Sequence, residues 1–572
     1  MVYNAINIFE TNMKKRGGLQ RLFNKAAAAT ALSATLLTGT VTAQTAEPTP
    51  PPAVVQPAVA PPGPSCPAFP GFHMPDGPMH RVPRDHTIDQ ALRADQLLLK
   101  SIGINPGATD GLGGGATRAA IREFLMFYAP AYDGDANKYA MSYTDSTQLK
   151  KYADAAAVNA RTYKISTATA AALGLASART GVAISTLAHN VNHKFSSAEW
   201  LYMVKTYGAS YGMDFYASHI VAGADGKLAA DNPFIHRQLL DLRDHPRLSA
   251  LMIAEYLKHK DAMPAFDAPP HLTADDAVRV QQRDLMALGF DIGKSADGMK
   301  GELTEISMSE FQLLYGGGKA TGRLSADEVT KLSAAAVQAR ADGSDYDAPT
   351  LASGPVRMAA DQSGADFGYM MELARAESSF SHTAKATTSS ATGLYQFIEG
   401  TWGYMIQTYG GKHGLGDFAG QVENYKDDLG RDQSRISNPL VRQALLGMRA
   451  NPQIAALFSA DFQGENKTKE ACYVPGTLTR TDLYLAHFLG PSDAVWFITQ
   501  MTANPNQSAP ETFPEEASYN ESVFYETRHG QIIRDRSLKE VYDNFARKFD
   551  EAPVPVQAAS PPARRTPPAP PT

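Results

Sequence analysis

Cysteine is scarce in this chain. Only Cys66 and Cys472 occur among its 572 residues. So few cysteines exclude a small domain built on a framework of disulfides, although an oxidising compartment would allow these two to pair. The sequence leaves a single disulfide and two free thiols open as alternatives.

An excess of charge of one sign is also absent. The 53 basic residues are balanced by 59 acidic ones, and the formal net charge is −6 at pH 7. This balance argues against binding of nucleic acid through bulk positive charge. No internal apolar run is long enough for a membrane helix. The length is sufficient for about four domains.

The two ends differ in composition from the rest of the chain. Residues 1–43 combine basic side chains, an apolar stretch and the small residues of a cleavage site, which predicts a secretory signal. An uncleaved membrane anchor is the alternative, but the apolar stretch is short and rich in Thr and Ala. Residues 44–84 and 551–572 are rich in proline, and we expect an extended linker and a disordered tail.

The stretch from 371 to 410 contains the most informative residues. Apolar residues recur at helical spacing up to Ala374, and Glu377 and Ser378 continue the same stripe. Apolar surroundings and the negative end of a helix both disfavour a charged carboxylate. We therefore expect Glu377 to be a neutral acid near pH 7, which a general acid for glycosidic cleavage must be. A solvated acid near a helix end is the alternative.

Small residues follow between Thr387 and Gly393, and their short side chains leave room for a ligand. Beyond them, apolar residues at helical spacing predict a second amphipathic helix from Leu394 to Tyr409. This helix is expected to stop at Gly410.

Together these motifs resemble those of the lytic transglycosylases, which are lysozyme-like enzymes that cut peptidoglycan. The family pattern is E-S-x-F, a loop of small residues, G-L-x-Q and F-x-x-x-T-W. The chain matches it at 377–380, 393–396 and 397–402. The resemblance implies a mainly α fold, with a lysozyme-like helical catalytic domain over about 350–550.

A mechanism is implied by the same resemblance. Glu377 protonates the oxygen that links N-acetylmuramic acid to N-acetylglucosamine, and as a carboxylate it then takes the proton of the muramyl 6-hydroxyl. A 1,6-anhydro ring closes, and no metal or other cofactor is needed. Peptidoglycan glycan strands would be the partner, and the exported protein would act in the periplasm at the cell wall.

Further side chains are expected at the substrate because of the resemblance: Ser378, Ser389, Ser390, Tyr395, Gln396, Tyr404 and His487. Ser378 would orient Glu377 or the N-acetyl group. Tyr395 and Gln396 would line the groove. Tyr404 would stack on a sugar face, with simple packing as the alternative.

Two positions depart from the family pattern. Many relatives carry a serine at the position of Ala386, and Ser389 and Ser390 would supply that hydroxyl here. His487 stands where the family segment A-Y-N-x-G-P has a tyrosine. We expect His487 to donate to Glu377 or to the sugar, and a core histidine is the alternative.

The chain also contains an internal repeat. Gln96, Asp110-Gly111 and Thr117 recur as Gln282, Asp297-Gly298 and Thr304. Both stretches are similar to the peptidoglycan-binding domain, a small three-helix module, and they span 85–180 and 270–345. In the first copy, residues 125–163 are expected to be an insertion, and the third helix is expected from Ile165 to Arg179.

The repeat extends into the catalytic-type part of the chain. The segment that begins at Trp200 recurs from Trp402, and the segment that begins at Asn232 recurs from Asn438. We interpret the whole as a tandem duplication. Residues 181–265 would be a catalytically dead half-copy, because they lack the helix of Glu377 and the G-L-x-Q loop. This half-copy would extend the glycan groove or act as a spacer.

Two alternatives to a transglycosylase follow from the same residues. One is a lysozyme-type hydrolase with the same acid and an activated water. The other is an inert scaffold that binds the wall. The sequence does not decide between endo and exo cleavage, and it names neither an envelope-spanning machinery that the protein could serve nor an oligomeric state.

Overall fold

The computed structural model describes residues 66, 88–129, 141–223, 225–266, 271–293, 295–316, 319–386, 389–426 and 432–549. The predicted signal (1–43), the linker (44–84) except for Cys66, and the tail (551–572) lie outside these residues. Over the described ranges the chain is mainly helical and has three two-stranded sheets, which confirms the mainly α class. Among the helices in these ranges, none is both long and apolar enough to cross a membrane.

Two compact units make up the described chain. The larger unit is Arg81–Glu465, and the smaller one contains Cys66 together with the residues from Asn466 onward. The boundary between Glu465 and Asn466 lies inside the predicted catalytic domain of 350–550. The structure therefore divides that stretch between the two units.

The first half of the larger unit consists of nine α-helices and one hairpin among the described residues. In chain order they are α1 (Gln90–Ser101), α2 (Gly115–Tyr128), α3 (Tyr143–Tyr163), α4 (Thr167–Thr180), α5 (Ile184–His189), α6 (Ser197–Tyr207), α7 (Asp214–Ser218), α8 (Pro233–Leu242) and α9 (Pro246–His259). Strands β1 (Ile220–Ala222) and β2 (Leu228–Ala230) form an antiparallel hairpin between α7 and α8.

The second half has a similar order of elements. Its helices are α10 (Asp276–Ala287), α11 (Glu302–Phe311), α12 (Ala326–Asp345), α13 (Thr350–Ser363), α14 (Phe367–Ser378), α15 (Glu399–Tyr409), α16 (Gly416–Ala419), α17 (Pro439–Gly447) and α18 (Pro452–Ala471), the last of which begins here. The hairpin of β3 (Val422–Lys426) and β4 (Asp432–Ile436) lies between α16 and α17.

Matching polar contacts occur in the two halves. The Nε2 of Gln96 donates to Thr117 Oγ1 at 3.0 Å, and that of Gln282 donates to Thr304 Oγ1 at 3.1 Å. Each glutamine also accepts a hydrogen bond through Oε1 from the backbone of the following Asp-Gly turn. Because both amides are buried, these bonds satisfy groups that would otherwise be costly to desolvate.

The buried tryptophans repeat in the same way. Trp200 Nε1 donates to the carbonyl of Leu239 at 2.6 Å, and Trp402 Nε1 donates to that of Leu445 at 2.8 Å. Both indoles are fully buried. Each indole therefore anchors the helix that follows its hairpin, α8 in the first half and α17 in the second.

The structure differs from the expected boundaries of the first module. Helix α3 lies within 125–163, the expected insertion, yet it packs on α1 as α12 packs on α10. Both α3 and α12 begin at a capping box, formed by Ser142 with Asp145 and by Ser325 with Glu328. Helix α4, which corresponds to the expected third helix, packs instead on α3 and α9.

The smaller unit has its own aromatic core. Its elements are α19 (Arg480–Leu489), α20 (Pro491–Ala503), α21 (Ala509–Thr512), α22 (Pro514–Tyr519), α23 (Glu521–Phe524), β5 (Tyr525–Arg528), β6 (Gln531–Asp535) and α24 (Leu538–Phe549). Tyr484 of α19 packs against Phe549 of α24 with ring centroids 4.3 Å apart. Cys66 and Cys472 form a disulfide in this unit, which decides between the two states that the sequence left open.

Candidate active site

Glu377 lies at the end of helix α14, one residue before its last residue. Asp366 caps the start of the helix, and its carboxylate accepts a hydrogen bond from the backbone N–H of Tyr369. Met370, Met371 and Ala374 are fully buried on one face, as their spacing predicts. Glu377 shares that face and is only 3% exposed. The alternative of a solvated surface acid is therefore wrong.

The backbone around Glu377 is strained. Ser379, Phe380 and Gln396 have φ values of 51°, 64° and 50°, in the left-handed region that L-residues other than glycine rarely adopt. Each such residue costs about 1–2 kcal/mol. Only three other non-glycine residues in the described ranges have positive φ. Strain of this kind concentrates at functional sites, where the surrounding contacts hold it in place.

Ser378 connects the helix of Glu377 to the G-L-x-Q turn. Its hydroxyl lies 3.0 Å from the carbonyl oxygen of Ala374 and 2.8 Å from that of Leu394, and it is buried. One hydroxyl hydrogen serves these two acceptors. Ser378 thus holds residues 393–396 against the end of α14, and its predicted contact with Glu377 or with the N-acetyl group stays a prediction.

The G-L-x-Q turn is closely packed. Gly393 has φ of 88°, and a Cβ atom at this position would lie 1.9 Å from the carbonyl oxygen of Arg449. The backbone N–H of Gly393 donates to Ala384 at 2.8 Å. No other residue type fits here without moving a backbone segment, so the conformation of the turn depends on this glycine.

Gln396 provides an unused acceptor in this turn. Its Nε2 donates to the carbonyl oxygens of Gly393 at 2.8 Å and Ala384 at 3.3 Å. Its Oε1 is buried and has no hydrogen-bond partner among the described residues. An unpaired buried carbonyl is costly, so this atom is an unsatisfied acceptor within the turn. Gln396 is only 2% exposed, and its predicted place in the groove stays a prediction.

Arg449 binds the backbone of the loop formed by residues 389–397. Its guanidinium donates to the carbonyl oxygens of Ser390 and Phe397, the latter at 3.0 Å, and to that of Leu446 at 3.0 Å. Burial lowers the pKa of Arg449 to about 10. A buried cation that is bound mainly by backbone carbonyls holds one backbone conformation, and here it holds the loop that the resemblance places around the substrate.

The role of Arg449 was missed in the sequence. The only sequence signal was that an arginine, Arg243, occupies the matching position in the first copy of the repeat. Arg243 also donates to a backbone carbonyl, that of Phe195, at 3.4 Å.

Ser389 and Ser390 are exposed on this loop. The Ser389 hydroxyl accepts from the N–H of Ala391 at 3.1 Å, and the Ser390 hydroxyl accepts from the N–H of Glu399 at 3.2 Å. Ser390 therefore also satisfies a free donor at the start of α15.

The second helix is shorter than predicted. Helix α15 begins at Glu399, and Leu394 to Phe397 form turns and an isolated bridge with Thr392. The apolar side chains of Leu394 and Phe397 are buried as expected, but their backbone follows the strained turn.

Tyr395 is placed in the interior. Its ring is fully buried, and its hydroxyl donates to the carbonyl oxygen of Met370 at 3.3 Å. Burial raises the pKa of Tyr395 well above its usual value. The prediction that Tyr395 lines an open groove is therefore wrong for this structure, and its ring packs beneath α14 instead.

Tyr404 is at the surface and is paired with an acid. Tyr404 is 37% exposed, and its hydroxyl donates to the Glu465 carboxylate at 2.9 Å. Tyr409 donates to the same carboxylate at 2.8 Å. Burial of the hydroxyl, together with Glu465, raises the pKa of Tyr404 to about 12. An exposed ring held in this way is available for stacking on a sugar.

The two acids that follow Glu377 most closely are both engaged. Glu399 accepts from Arg442 Nε at 2.6 Å, and Asp417 accepts from Asn232 Nδ2 at 3.0 Å. Glu399 is thus held in an ion pair with Arg442, and Asp417 is bound to the half of the chain that contains Asn232.

His487 belongs to the smaller unit. It is 8% exposed on α19 and stacks on Tyr484 with ring centroids 6.0 Å apart. This packing is what the alternative of a core histidine predicts. The hydrogen bond to Glu377 or to the sugar stays a prediction.

No protein-family model matches the chain.

Proposed function

We propose that this protein is a peptidoglycan lytic transglycosylase with Glu377 as its only acid–base residue. In this proposal, a lysozyme-like catalytic region follows peptidoglycan-binding-like modules in a tandem duplication. The observation that carries the proposal is the position of Glu377. It is a carboxyl group with 3% exposure at a helix end, tied through Ser378 to a strained turn that offers the free Gln396 Oε1.

The proposed reaction needs one carboxyl group in two protonation states. As an acid, Glu377 gives its proton to the glycosidic oxygen, and the bond from that oxygen to C1 of the muramyl residue breaks. As a carboxylate, it then accepts the proton of the muramyl 6-hydroxyl while that oxygen bonds to C1. The proton is returned to Glu377, and no water is consumed.

The surrounding residues support this assignment in two ways. Glu399 and Asp417, the next two acids along the sequence, are bound to Arg442 and Asn232, which agrees with a one-carboxylate reaction. Gln396 Oε1 suits an N–H or O–H donor of the sugar, such as the N-acetyl amide.

Export is part of the proposal. The predicted signal at 1–43 would direct the chain to the periplasm, where peptidoglycan glycan strands are its substrate. A disulfide between Cys66 and Cys472 is what an oxidising compartment permits.

Mass spectrometry of the muropeptides released from purified sacculi tests this function. The wild-type chain is expected to release products about 18 Da lighter than hydrolysed muropeptides, because the ring closure replaces water addition. Glu377→Gln is expected to release none. Glu372→Gln is the matched control, since Glu372 lies on the same helix and pairs with Arg375 near the surface.

Other results would overturn the proposal. Reducing muramic acid ends from the wild type would indicate a lysozyme-type hydrolase. Unchanged release by Glu377→Gln would remove this residue from the chemistry. Binding to sacculi without any release, by wild type and variant alike, would indicate an inert scaffold.

A further inference from the structure

We infer that the half-copy, residues 181–265, is the structural partner of the catalytic half of the chain, docked on it through a reciprocal interface. Asn232 and Asn438 are the matched anchors of this interface. The inference rests on the tandem duplication in the proposed function. It assigns the half-copy a bracing role, in place of the groove extension or the spacer between which the sequence did not decide.

Two hydrogen bonds carry the inference. Asn232 Nδ2 donates to the carbonyl oxygen of Gly414 at 2.9 Å, and Asn438 Nδ2 donates to that of Gly212 at 2.8 Å. The two asparagines match each other in the repeat, and so do the two glycines. Each copy therefore presents the same donor to the same acceptor of the other copy.

Such reciprocity is the property of an interface with two-fold symmetry, in which residue i of one partner contacts j of the other and j contacts i. In an oligomer, the partners would be two chains. Here both partners belong to one chain and lie within the same compact unit.

The asparagine amides are oriented by their own helices. Asn232 Oδ1 accepts from the N–H of Phe234 at 2.9 Å, and Asn438 Oδ1 accepts from that of Leu440 at 2.9 Å. Each side chain caps the first turn of a helix, α8 or α17, that begins with proline. The cap uses the oxygen and leaves the Nδ2 donor for the other copy.

The two acceptor carbonyls are also presented alike. Gly212 and Gly414 have φ of 78° and 77°, and each ends the short 3₁₀ turn after α6 or α15. The left-handed conformation is available to glycine at little cost. Matching backbone conformations explain why one asparagine geometry serves both contacts.

Helices of the two copies also pack against each other. Helix α8 of the half-copy packs on α11 of the second binding-like module, and α17 of the catalytic half packs on α2 of the first. The first of these contacts contains an ion pair, in which the half-buried Arg237 donates through Nε to Oε1 of the buried Glu310 at 2.7 Å. The copies are thus joined over helices as well as at the two asparagines.

The half-copy also reaches the segment that follows α15. Besides Gly414, the Asn232 amide contacts Asp417 Oδ2 at 3.0 Å. Helix α15 is in turn linked to the candidate site by the Ser390 hydroxyl at its first turn. The half-copy therefore supports the helix that continues from the loop of the candidate site.

The test uses the purified full chain with a protease site inserted between Phe266 and His271, where the half-copy ends and the second module begins. After cleavage, Cys66 and Cys472 must be reduced, because their disulfide would keep the two fragments covalently joined. Native mass spectrometry and size-exclusion chromatography in reducing buffer then report whether the fragments stay together. No peptidoglycan is used, so the outcome is independent of the proposed catalysis.

We expect the cut chain to remain a one-to-one complex. Asn232→Asp combined with Asn438→Asp keeps the oxygen that caps each helix and removes the Nδ2 donor, and it is expected to raise the dissociation constant of the fragments by about tenfold or more. Asn424→Asp, at an exposed position of β3, is the matched control and is expected to change nothing. Fragments that separate at once on cutting and reduction, or a double variant that behaves as the control does, would overturn the inference.

Discussion

Replacement of Gly393 by alanine probes the packing of the G-L-x-Q turn most directly. The new Cβ would lie 1.9 Å from the carbonyl oxygen of Arg449 and 2.9 Å from its carbonyl carbon. Both are backbone atoms, so a rotation of a side chain cannot relieve the overlap. Either the turn or the segment at Arg449 must move.

Two costs add in this variant. A left-handed φ of 88° costs an alanine about 1–2 kcal/mol. Forced displacement in a packed interior costs a further ~1–3 kcal/mol. We therefore expect Gly393→Ala to lower the free energy of unfolding by roughly 2–5 kcal/mol.

Gly181→Ala separates the two costs. Gly181 has φ of 79°, but no atom lies within 4 Å of the Cβ position. This control pays only the conformational cost of about 1–2 kcal/mol. Gly174→Ala, inside α4 with open space around it, is expected to be neutral or to stabilise by ~0.5–1 kcal/mol.

Thermal unfolding of the three variants beside the wild type measures the difference. A change of 1 kcal/mol corresponds to about 2–4 °C or less in a protein of this size. Gly393→Ala should therefore melt several degrees below Gly181→Ala and should also lose most of the proposed cleavage of sacculi. Equal melting temperatures for these two variants would refute the reasoning, because the overlap with Arg449 would then carry no cost.

Two further predictions concern side chains near this turn. Arg449→Lys keeps the charge but loses the planar guanidinium that reaches several carbonyl oxygens. We therefore expect a lower kcat for the proposed peptidoglycan cleavage, with KM little changed, and a lower melting temperature. A lysine variant with wild-type kcat would contradict the positioning role of Arg449. Burial alone would raise the pKa of Asp461, but hydrogen bonds from His413 and Lys412 hold it below its usual value. The stabilisation by the charged Asp461 is then fully present above a pH of about 4 and is lost as the pH falls through the lowered pKa. The urea midpoint of the wild type should therefore drop more steeply below pH ~4 than that of Asp461→Asn. Parallel pH profiles for the two proteins would contradict this assignment.

Periodicity in the sequence was sufficient to locate the helix of Glu377. Apolar residues at helical spacing predict which face of a helix is buried, and a residue on the same face is expected to be buried with them. The burial of Glu377 was predictable for this reason. The same holds for the matched pairs Trp200 with Trp402 and Gln96 with Gln282, because equal local sequences form equal local contacts.

The start of α15 was not predictable from spacing. Leu394 and Phe397 are apolar at helical intervals, yet Ser378 and Arg449 bind the carbonyls of this segment in a non-helical turn. A turn whose backbone partners come from distant residues overrides local preference. The prediction for Tyr395 was wrong for the same reason, because the non-helical turn sets the direction of its ring.

The sequence by itself determined the helical class, the burial of Glu377 and the repeat, because each depends on residues that are close along the chain. Only the tertiary structure decided that α3 takes the place of a closing helix and that the two copies exchange contacts through Asn232 and Asn438. These contacts join residues about two hundred positions apart. Local propensity carries no information about such pairs, because their geometry exists only once both copies have folded against each other.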